Sequence, residues 1–349
     1  MPIREPAEYV ALGARAIIGL LAEEHAASWP EVEARIADEE WPGIGTPINP
    51  HHLSEARKEL LSRKIVTELV AITRGGRSVS IIALTDHAST TVVQRAAARK
   101  RLLLARYQGW AQGTPSRPGI IGPAAERVTH ASLIAAAPYG YRLANPSGGP
   151  VTDLMGVRFS GPLDDAAFLT SLGPDGMPLP TVAVPIEVKN VRDWLYPSSP
   201  EPYQLLSKAA AVQQARPGQL VMPTLVCRRA HITLYRMAKD LGFFVIEPRR
   251  QFISPSVDAE HLREVRAELG FMDLVATDEQ DKVIFDRLTR TLPTYAHERC
   301  ERWARTSSSD VAAAFAWIGG DGMSLRRRNT FDVMRQLAER DGLVDFGGW

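Results

Sequence analysis

The stretch 181–190, Thr-Val-Ala-Val-Pro-Ile-Glu-Val-Lys-Asn, constrains the fold more than any other part of the sequence. It is mostly apolar and β-branched, which is typical of a buried strand. Because successive side chains of a strand point to opposite faces, Glu187 and Lys189 share one face, while Ile186 and Val188 lie on the other. Two interpretations stay open: an ordinary surface ion pair, and a metal-binding glutamate beside a lysine that holds a water or a phosphate oxygen.

Composition limits the class of protein. The chain of 349 residues is 45% hydrophobic and 23% charged, values typical of a soluble globular protein with two or three domains. It has no apolar run of about 18 residues, so we expect no membrane span. The N-terminus lacks the pattern of a signal peptide. Cys227 and Cys300 stand apart from each other and from any histidine pair, which argues against zinc and disulfides and favours a cytoplasmic protein.

Charge is distributed unevenly in the first hundred residues. The range 1–56 contains three basic and ten acidic residues, whereas 57–106 contains eleven basic and three acidic residues. Such polarity predicts a basic surface patch of the kind that contacts phosphate. The alternative is a basic helix that faces solvent or an acidic neighbour.

Apolar spacing predicts helices and then a hairpin in this region. Two β-rich runs on either side of a glycine pair, Gly75-Gly76, are a strong signal for a hairpin. The predicted elements are helices at 5–25, 29–37 and 52–69, strands at 70–74 and 78–84, and a basic helix at 91–110.

Three helices followed by a hairpin resemble the winged helix-turn-helix. The resemblance implies binding to double-stranded DNA, with the third helix in the major groove and the hairpin on the backbone. Winged helices also dock proteins, so that alternative stays open. The candidate DNA-binding residues are the basic side chains of the third helix, the hairpin turn and the following helix: Arg57, Lys58, Arg63, Lys64, Arg74, Arg77, Arg99 and Lys100.

From residue 122 the pattern changes to α/β. Predicted strands at 157–170, interrupted by a bend, are joined to 181–190 by a Gly/Pro loop, which suggests an antiparallel pair that brings Asp164 close to Glu187. Strand, helix and strand at 220–227, 231–241 and 243–247 predict a parallel crossover. Helices are also predicted at 123–137 and 201–213, and the last ninety residues look helical.

The domain organisation follows from these patterns. We expect a winged-helix domain at 1–111, a linker at 112–121, an α/β domain at 122–257 and a helical segment at 258–349. The fold class is therefore α/β, a mixed sheet flanked by helices, with an N-terminal winged helix and a helical C-terminal segment.

The order of acidic helix, strand with Asp, strand ending in Glu-x-Lys and helix with Gln resembles the PD-(D/E)xK, or restriction-endonuclease-like, nuclease superfamily. The resemblance covers about residues 119–254. The resemblance implies metal binding by Asp164, Glu187 and the carbonyl of Val188, with Asp165 as a competitor for Asp164. It further implies catalytic roles for Lys189, Glu126 and Gln204, and Gln213 is an equal candidate for the glutamine.

The two resemblances together imply a Mg²⁺-dependent DNA endonuclease, with Mn²⁺ as an alternative ion, in a bacterial restriction or defence setting. Mg²⁺ held by carboxylates positions a water and neutralises phosphate charge, and a lysine orients the water or stabilises the transition state. We expect a homodimer that cuts both strands, with target recognition by the winged helix; whether the target includes a modified base stays open. The alternatives are a DNA-binding regulator with an inactive nuclease-like fold, and a nuclease for RNA or for branched or damaged DNA.

Overall fold

The computed structural model describes residues 5–39, 41–42, 47–72, 78–113, 117–173, 175–320, 324–345 and 349, with backbone only for 324–327. The chain forms two compact units. Unit 1 comprises Met1–Ile120 and Ser256–Val275, and unit 2 comprises Ile121–Pro255 and Ala276–Trp349.

Unit 1 is a three-stranded antiparallel sheet packed against helices. The strands are ordered β1-β3-β2, because β1 pairs with the second strand of the β2–β3 hairpin. Its elements are α1 (Pro6–Glu24), β1 (Ala27–Ser28), α2 (Trp29–Glu33), a π-helical turn (Ala34–Asp38), α3 (Pro50–Ser62), β2 (Val66–Ile72), β3 (Ser78–Leu84), a 3₁₀ turn (Thr85–His87), α4 (Thr91–Gln112) and α8 (Ala259–Leu269).

The third helix ends earlier than the sequence predicts. The helix begins at Pro50 and ends at Ser62, and residues 66–72, of which 66–69 were assigned to that helix, form a strand. Cross-strand pairing with β3 explains the change, since a β-rich run gains more from a partner strand than from continuing a helix. The hairpin turn, including Gly75-Gly76, lies outside the described residues.

A buried ion-pair network joins the helices of unit 1. The Nζ of Lys100 lies 2.5 Å from Glu31 Oε1 and 2.8 Å from Glu24 Oε2, and it also donates to the carbonyl of Glu268. Glu31 also forms a capping box with Ser28 at the start of α2. Burial raises the pKa of Glu31, whereas the charge of Lys100 lowers it. Lys100 therefore joins α4 to α1, α2 and α8.

Unit 2 contains a mixed sheet whose central strand is β8. The order is β11-β10-β8-β7-β4, with β9 paired to the first part of β8. Strands β9, β10 and β11 run parallel to their neighbours, whereas β7 and β4 are antiparallel. The strands are β4 (Tyr141–Leu143), β5 (Val151–Leu154), β6 (Val157–Leu163), β7 (Asp165–Leu169), β8 (Val182–Lys189), β9 (Leu220–Val221), β10 (Thr224–Cys227), β11 (Phe244–Ile246) and β12 (Gln251–Ile253), and β13 (Leu274–Ala276) spans the boundary between the units.

The run predicted as one strand at 220–227 is two short strands, because Met222 and Pro223 separate β9 from β10. The break lies opposite Pro185, between the residues of β8 that pair with β9 and those that pair with β10. Proline has no N–H to donate to a ladder. A proline is therefore tolerated in the middle of this central strand.

Helices cover both faces of the sheet. Val184, Ile186 and Val188 pack with α5, whereas Ala183 lies in the second core with α6, α7, α11 and α12. The alternation of β8 therefore places Glu187 on the α6 face. The helices are α5 (Gly122–Ala136), α6 (Glu201–Ala215), α7 (Ile232–Leu241), α9 (Lys282–Asp286), α10 (Leu292–Ser308), α11 (Val311–Gly319) and α12 (Ser324–Arg340), with a 3₁₀ turn at Ala137–Tyr139 and a π-helical turn at Arg287–Thr291.

The segment 258–349 is not one unit. Its first part, with α8, belongs to unit 1, and its remainder belongs to unit 2. There Trp303, Phe315 and Met334 are fully buried in the α6 face core, so the C-terminal helices complete the core of the α/β unit. Within the described ranges, no helix has the length and apolar content that crossing a membrane requires.

The buried network predicts a large effect for Lys100→Met. Removing one partner from a buried ion pair leaves an uncompensated charge, so we expect a loss of about 3–5 kcal/mol in the free energy of unfolding. Arg99→Met is the matched control. Arg99 pairs with Glu264 and Glu268 at a partly exposed position, and its loss costs about 1 kcal/mol or less. Urea unfolding, with hydrogen exchange followed in unit 1, measures both; equal effects of the two substitutions would contradict a special role for Lys100.

Candidate active site

Glu187 lies at the end of β8 with an ammonium group on each carboxylate oxygen. Lys189 Nζ is 2.8 Å from Oε1, and Lys208 Nζ is 3.0 Å from Oε2. Glu187 is only 3% exposed. Lys208 comes from α6 and also donates to the carbonyl of Pro162 at 2.5 Å. A buried carboxylate requires such compensation, so the strand end, α6 and the end of β6 are held together here.

Asp164 lies at the bend between β6 and β7, beside Glu187. Its Oδ2 accepts a hydrogen bond from the backbone N–H of Val188 at 2.6 Å. Burial and the charge of Glu187 raise the pKa of Asp164 to about 6, although the Val188 hydrogen bond and Lys189 act in the opposite direction. Two carboxylates thus face each other at neighbouring strand ends, as the sequence predicts. The repulsion between them favours a cation or a proton at this position.

Asp165 points away from this pair. Its Oδ2 lies 2.8 Å from Nδ1 of His130 on α5, and its Oδ1 accepts from the backbone N–H of Ala166. Burial raises the pKa of the Asp165 carboxyl, while the bond to His130 lowers it. Asp165 is therefore held against α5, and Asp164 is the one of the two carboxylates that lies beside Glu187.

A cavity of about 320 Å³ lies between α5 and the bend. Asp164 and His130 line it together with Glu126, Gly148 and Gly149. Glu126 is exposed, and its charge also raises the pKa of Asp164. The structure therefore brings Glu126 to the α5 side of Asp164, whereas Glu187 and the two lysines are on the α6 face.

The glutamines are not part of the carboxylate cluster. Gln204 is half-buried on α6, and no described hydrogen bond joins its side chain to Asp164 or Glu187. Lys208, one turn further along α6, contacts Glu187 instead. Gln213 is buried and donates to the carbonyls of Arg216, Pro217 and Gln219, so it holds the loop that follows α6. No described hydrogen bond joins Gln213 to Asp164 or Glu187.

The predicted DNA-binding residues of unit 1 differ in burial and in their ion pairs. Lys100 is buried, which corrects its assignment as a phosphate contact. Arg57 pairs with Glu68 and lies over the ring of Trp29, and Arg99 pairs with acidic residues of α8. Exposed basic side chains remain at the end of α3, namely Lys58, Arg63 and Lys64, of which Lys58 and Arg63 pair with glutamates of the same helix. Arg74 and Arg77 lie outside the described residues.

The residues of the candidate site fit a magnesium ion. Mg²⁺ is usually bound by one or two carboxylates and retains several waters. Asp164 offers Oδ1, which has no hydrogen-bond donor in the described part of the chain, and Glu187 is adjacent. These are two acidic ligands; the described residues contain no group of three His, Cys, Asp or Glu side chains arranged to hold a metal. An ion here would therefore depend on water and on the carbonyl of Val188 for its remaining ligands.

Comparison with protein-family models, with characterised proteins and with solved structures returned no match to this chain.

Sequence reasoning missed two residues of this region, Lys208 and His130. Lys208 follows Gln204 by four residues, so helical periodicity places them on one face. That spacing was a usable signal. His130 follows Glu126 by the same spacing on α5, but its partner Asp165 comes from a strand 35 residues away. Only the packing of α5 on the sheet reveals that pair.

The raised pKa of Asp164 predicts a pH-dependent stability. Its value of about 6, against the ordinary 3.8, means that the folded protein holds the proton more tightly than the unfolded chain. This contribution is fully present below about pH 4 and is lost as the pH rises through about 6. Asn does not titrate, so the variant Asp164→Asn does not lose this contribution. Between pH 4 and pH 8 we therefore expect its free energy of unfolding to rise, relative to that of the wild type, by up to about 3 kcal/mol. Urea unfolding of metal-free protein at both values measures this; a constant difference would contradict it.

Proposed function

We propose that this protein is a metal-dependent DNA endonuclease whose centre comprises Asp164, Glu187, Lys189 and Lys208. The observation that carries the proposal is the pair of carboxylates at neighbouring strand ends, one of which holds two lysines. The mixed sheet with helices on both faces, and the order of its elements, support a restriction-endonuclease-like fold. Perturbed acidic groups beside a cavity are typical of catalytic centres.

Asp164 and Glu187 would hold Mg²⁺, or Mn²⁺ in its place, with the carbonyl of Val188. Such an ion would neutralise charge on the phosphate oxygens and would lower the pKa of a coordinated water. The lysines supply the rest of the electrostatics. Lys189 orients the attacking water or stabilises the developing negative charge, and Lys208 keeps the Glu187 carboxylate in place through its contact with Pro162.

Unit 1 is proposed to bind double-stranded DNA. Its order of elements, with a third helix followed by a hairpin and a β1-β3-β2 sheet, supports a winged-helix assignment. Exposed cations at the end of α3, Lys58, Arg63 and Lys64, suit contact with phosphates. Since a duplex has two strands to cut, we expect a homodimer. Target binding by one unit and cleavage by the other suit a restriction or defence nuclease.

One observation favours a second candidate, a DNA-binding regulator with an inactive nuclease-like fold. Both oxygens of Glu187 already bind ammonium groups, and no three-ligand metal cluster occurs among the described residues. In this alternative the lysines replace the ion and stabilise the sheet. The two candidates differ in whether the centre supports cleavage.

A cleavage assay tests the nuclease proposal. With Mg²⁺ or Mn²⁺ on plasmid and genomic DNA, methylated and unmethylated, we expect wild-type protein to cut. Glu187→Gln and Lys189→Ala should each lower the rate by about 10²-fold or more, since both remove transition-state stabilisation. Lys208→Met should also lower it, because Glu187 loses a positioning partner.

Lys282→Met and Glu301→Gln are the matched controls. Both residues are exposed in unit 2, and both variants should retain the wild-type rate. Absence of cutting on every substrate, combined with tight and salt-sensitive DNA binding, would support the regulator instead.

The basic end of α3 predicts a measurable salt dependence of DNA affinity. Replacing Lys58, Arg63 and Lys64 together by Ala should weaken binding similarly for all sequences and reduce the slope of log K against log salt by about 0.9 for each phosphate that the variant no longer neutralises. A control of the same kind, Arg15→Ala with Arg95→Ala, changes exposed cations on α1 and α4. Fluorescence anisotropy at several salt concentrations measures both; equal slopes for the two variants would contradict this assignment.

A further inference from the structure

His130 and Asp165 form a carboxylate–histidine pair beside the proposed centre. Nδ1 of His130 lies 2.8 Å from Asp165 Oδ2, and Asp165 is 3% exposed. The second oxygen of Asp165 accepts from the backbone of Ala166, so the carboxylate is fixed in place. A carboxylate in this position holds the proton on Nδ1 and sets the orientation of the ring.

The other ring nitrogen, Nε2, is left open. It has no hydrogen-bond partner in the part of the chain that the structure describes, and His130 lines the 320 Å³ cavity. A Cβ at Gly148 would lie 3.3 Å from Nε2, and Gly148 has a φ of +77°. Glycine at this position satisfies the backbone and keeps a side chain away from Nε2.

The pairing of β7 with β8 separates two sets of groups. Asp165 is opposite Ile186, whose side chain packs with α5, so the His130 pair lies on the α5 face. Glu187, the next residue, points to the α6 face, where Lys208 contacts it. Asp164 lies at the bend, lines the α5 cavity and bonds the N–H of Val188. It therefore stands between the two sets.

In-line phosphodiester hydrolysis needs groups on two sides of the reacting phosphorus atom, and Asp164 borders both the His130 cavity and the side of Glu187. The attacking water and the leaving oxygen must lie on opposite sides of the phosphorus atom. If the Glu187 and Lys189 side activates the water, the leaving oxygen is directed to the side of His130. An imidazole whose Nδ1 is held by a buried carboxylate, and whose Nε2 has no partner among the described residues, is suited to proton transfer there.

We propose that His130 is the general acid of the reaction, with Asp165 as its positioning residue; the inference rests on the proposed nuclease function. Water attacks phosphorus and gives up a proton to solvent. The bond from phosphorus to the leaving oxygen breaks, its electron pair stays on that oxygen, and the proton on Nε2 of His130 passes to it. The products are a phosphate monoester end and a hydroxyl end. His130 is left neutral with its proton on Nδ1 and regains the second proton from water in the cavity.

A leaving-group substitution tests this role. The substrates are an ordinary duplex and duplexes in which sulfur replaces the bridging oxygen on the leaving side, as identified from the product ends. A thiolate leaves without protonation far more readily than an alkoxide. His130→Asn keeps a donor at the Nδ1 position for Asp165 but removes Nε2. We expect it to lose about 10²-fold or more in rate on the oxygen substrate and to cut the sulfur substrate at nearly the wild-type rate.

His297→Asn, an exposed substitution on α10, should match the wild type on both substrates. An equal loss on both substrates by His130→Asn, or no loss on either, would overturn the general-acid role while leaving the nuclease intact. If wild-type protein cuts neither substrate, the proposed function fails and this inference fails with it.

A second measurement needs neither metal nor activity. Long-range ¹H–¹⁵N spectra of the metal-free protein, with His130 assigned by its loss in His130→Asn, report which ring nitrogen carries the proton. We expect the Nδ1–H tautomer for the neutral ring, because Asp165 accepts from Nδ1. An Nε2–H tautomer would show that Asp165 does not orient the ring and would overturn the proposal.

Discussion

The arrangement of unit 2 depends on the ion pairs that neutralise the Glu187 carboxylate. Glu187 is almost fully buried at the end of a strand that is covered on both faces. A lone charge there would cost several kcal/mol, so the position is stable only with partners. Lys189 comes from the strand itself and Lys208 from α6, and Lys208 also binds the carbonyl of Pro162. One carboxylate thus joins β8, α6 and the segment that leads to Asp164.

The alternation of side chains along β7 and β8 distributes the chemistry over two faces. Glu187 with its lysines lies on the α6 face, and Asp165 with His130 lies on the α5 face. Asp164 occupies the bend where the strands end, which places it beside both groups. A sheet with a helix on each side therefore holds the Glu187 group and the His130 pair apart, while Asp164 lies beside both. Burial of Asp164, together with the charge of Glu187, raises its pKa to about 6.

Unit 1 illustrates the limit of charge counting. The basic excess in 57–106 predicts a phosphate-binding patch, and several of its members instead form ion pairs within the unit. Lys100 is buried among carboxylates, and Arg99 pairs with α8, which is distant in the sequence. The alternative of an acidic neighbour therefore accounts for part of the basic helix. Among the predicted contacts that the structure describes, Lys58, Arg63 and Lys64 at the end of α3 keep the exposure that a DNA contact needs.

Local sequence determined the buried strand at 182–189, the shared face of Glu187 and Lys189, the bend at Asp164 and most helices, since these depend on residue type and periodicity over a few residues. It did not determine where α3 ends, because the strand after it is stabilised by pairing with β3. Nor did it reveal that Lys208 reaches Glu187, or that His130 meets Asp165. Those contacts join residues 21 and 35 positions apart in the chain. Tertiary structure decided them, because only the packing of α5 and α6 on opposite faces of the sheet brings these side chains within hydrogen-bonding distance.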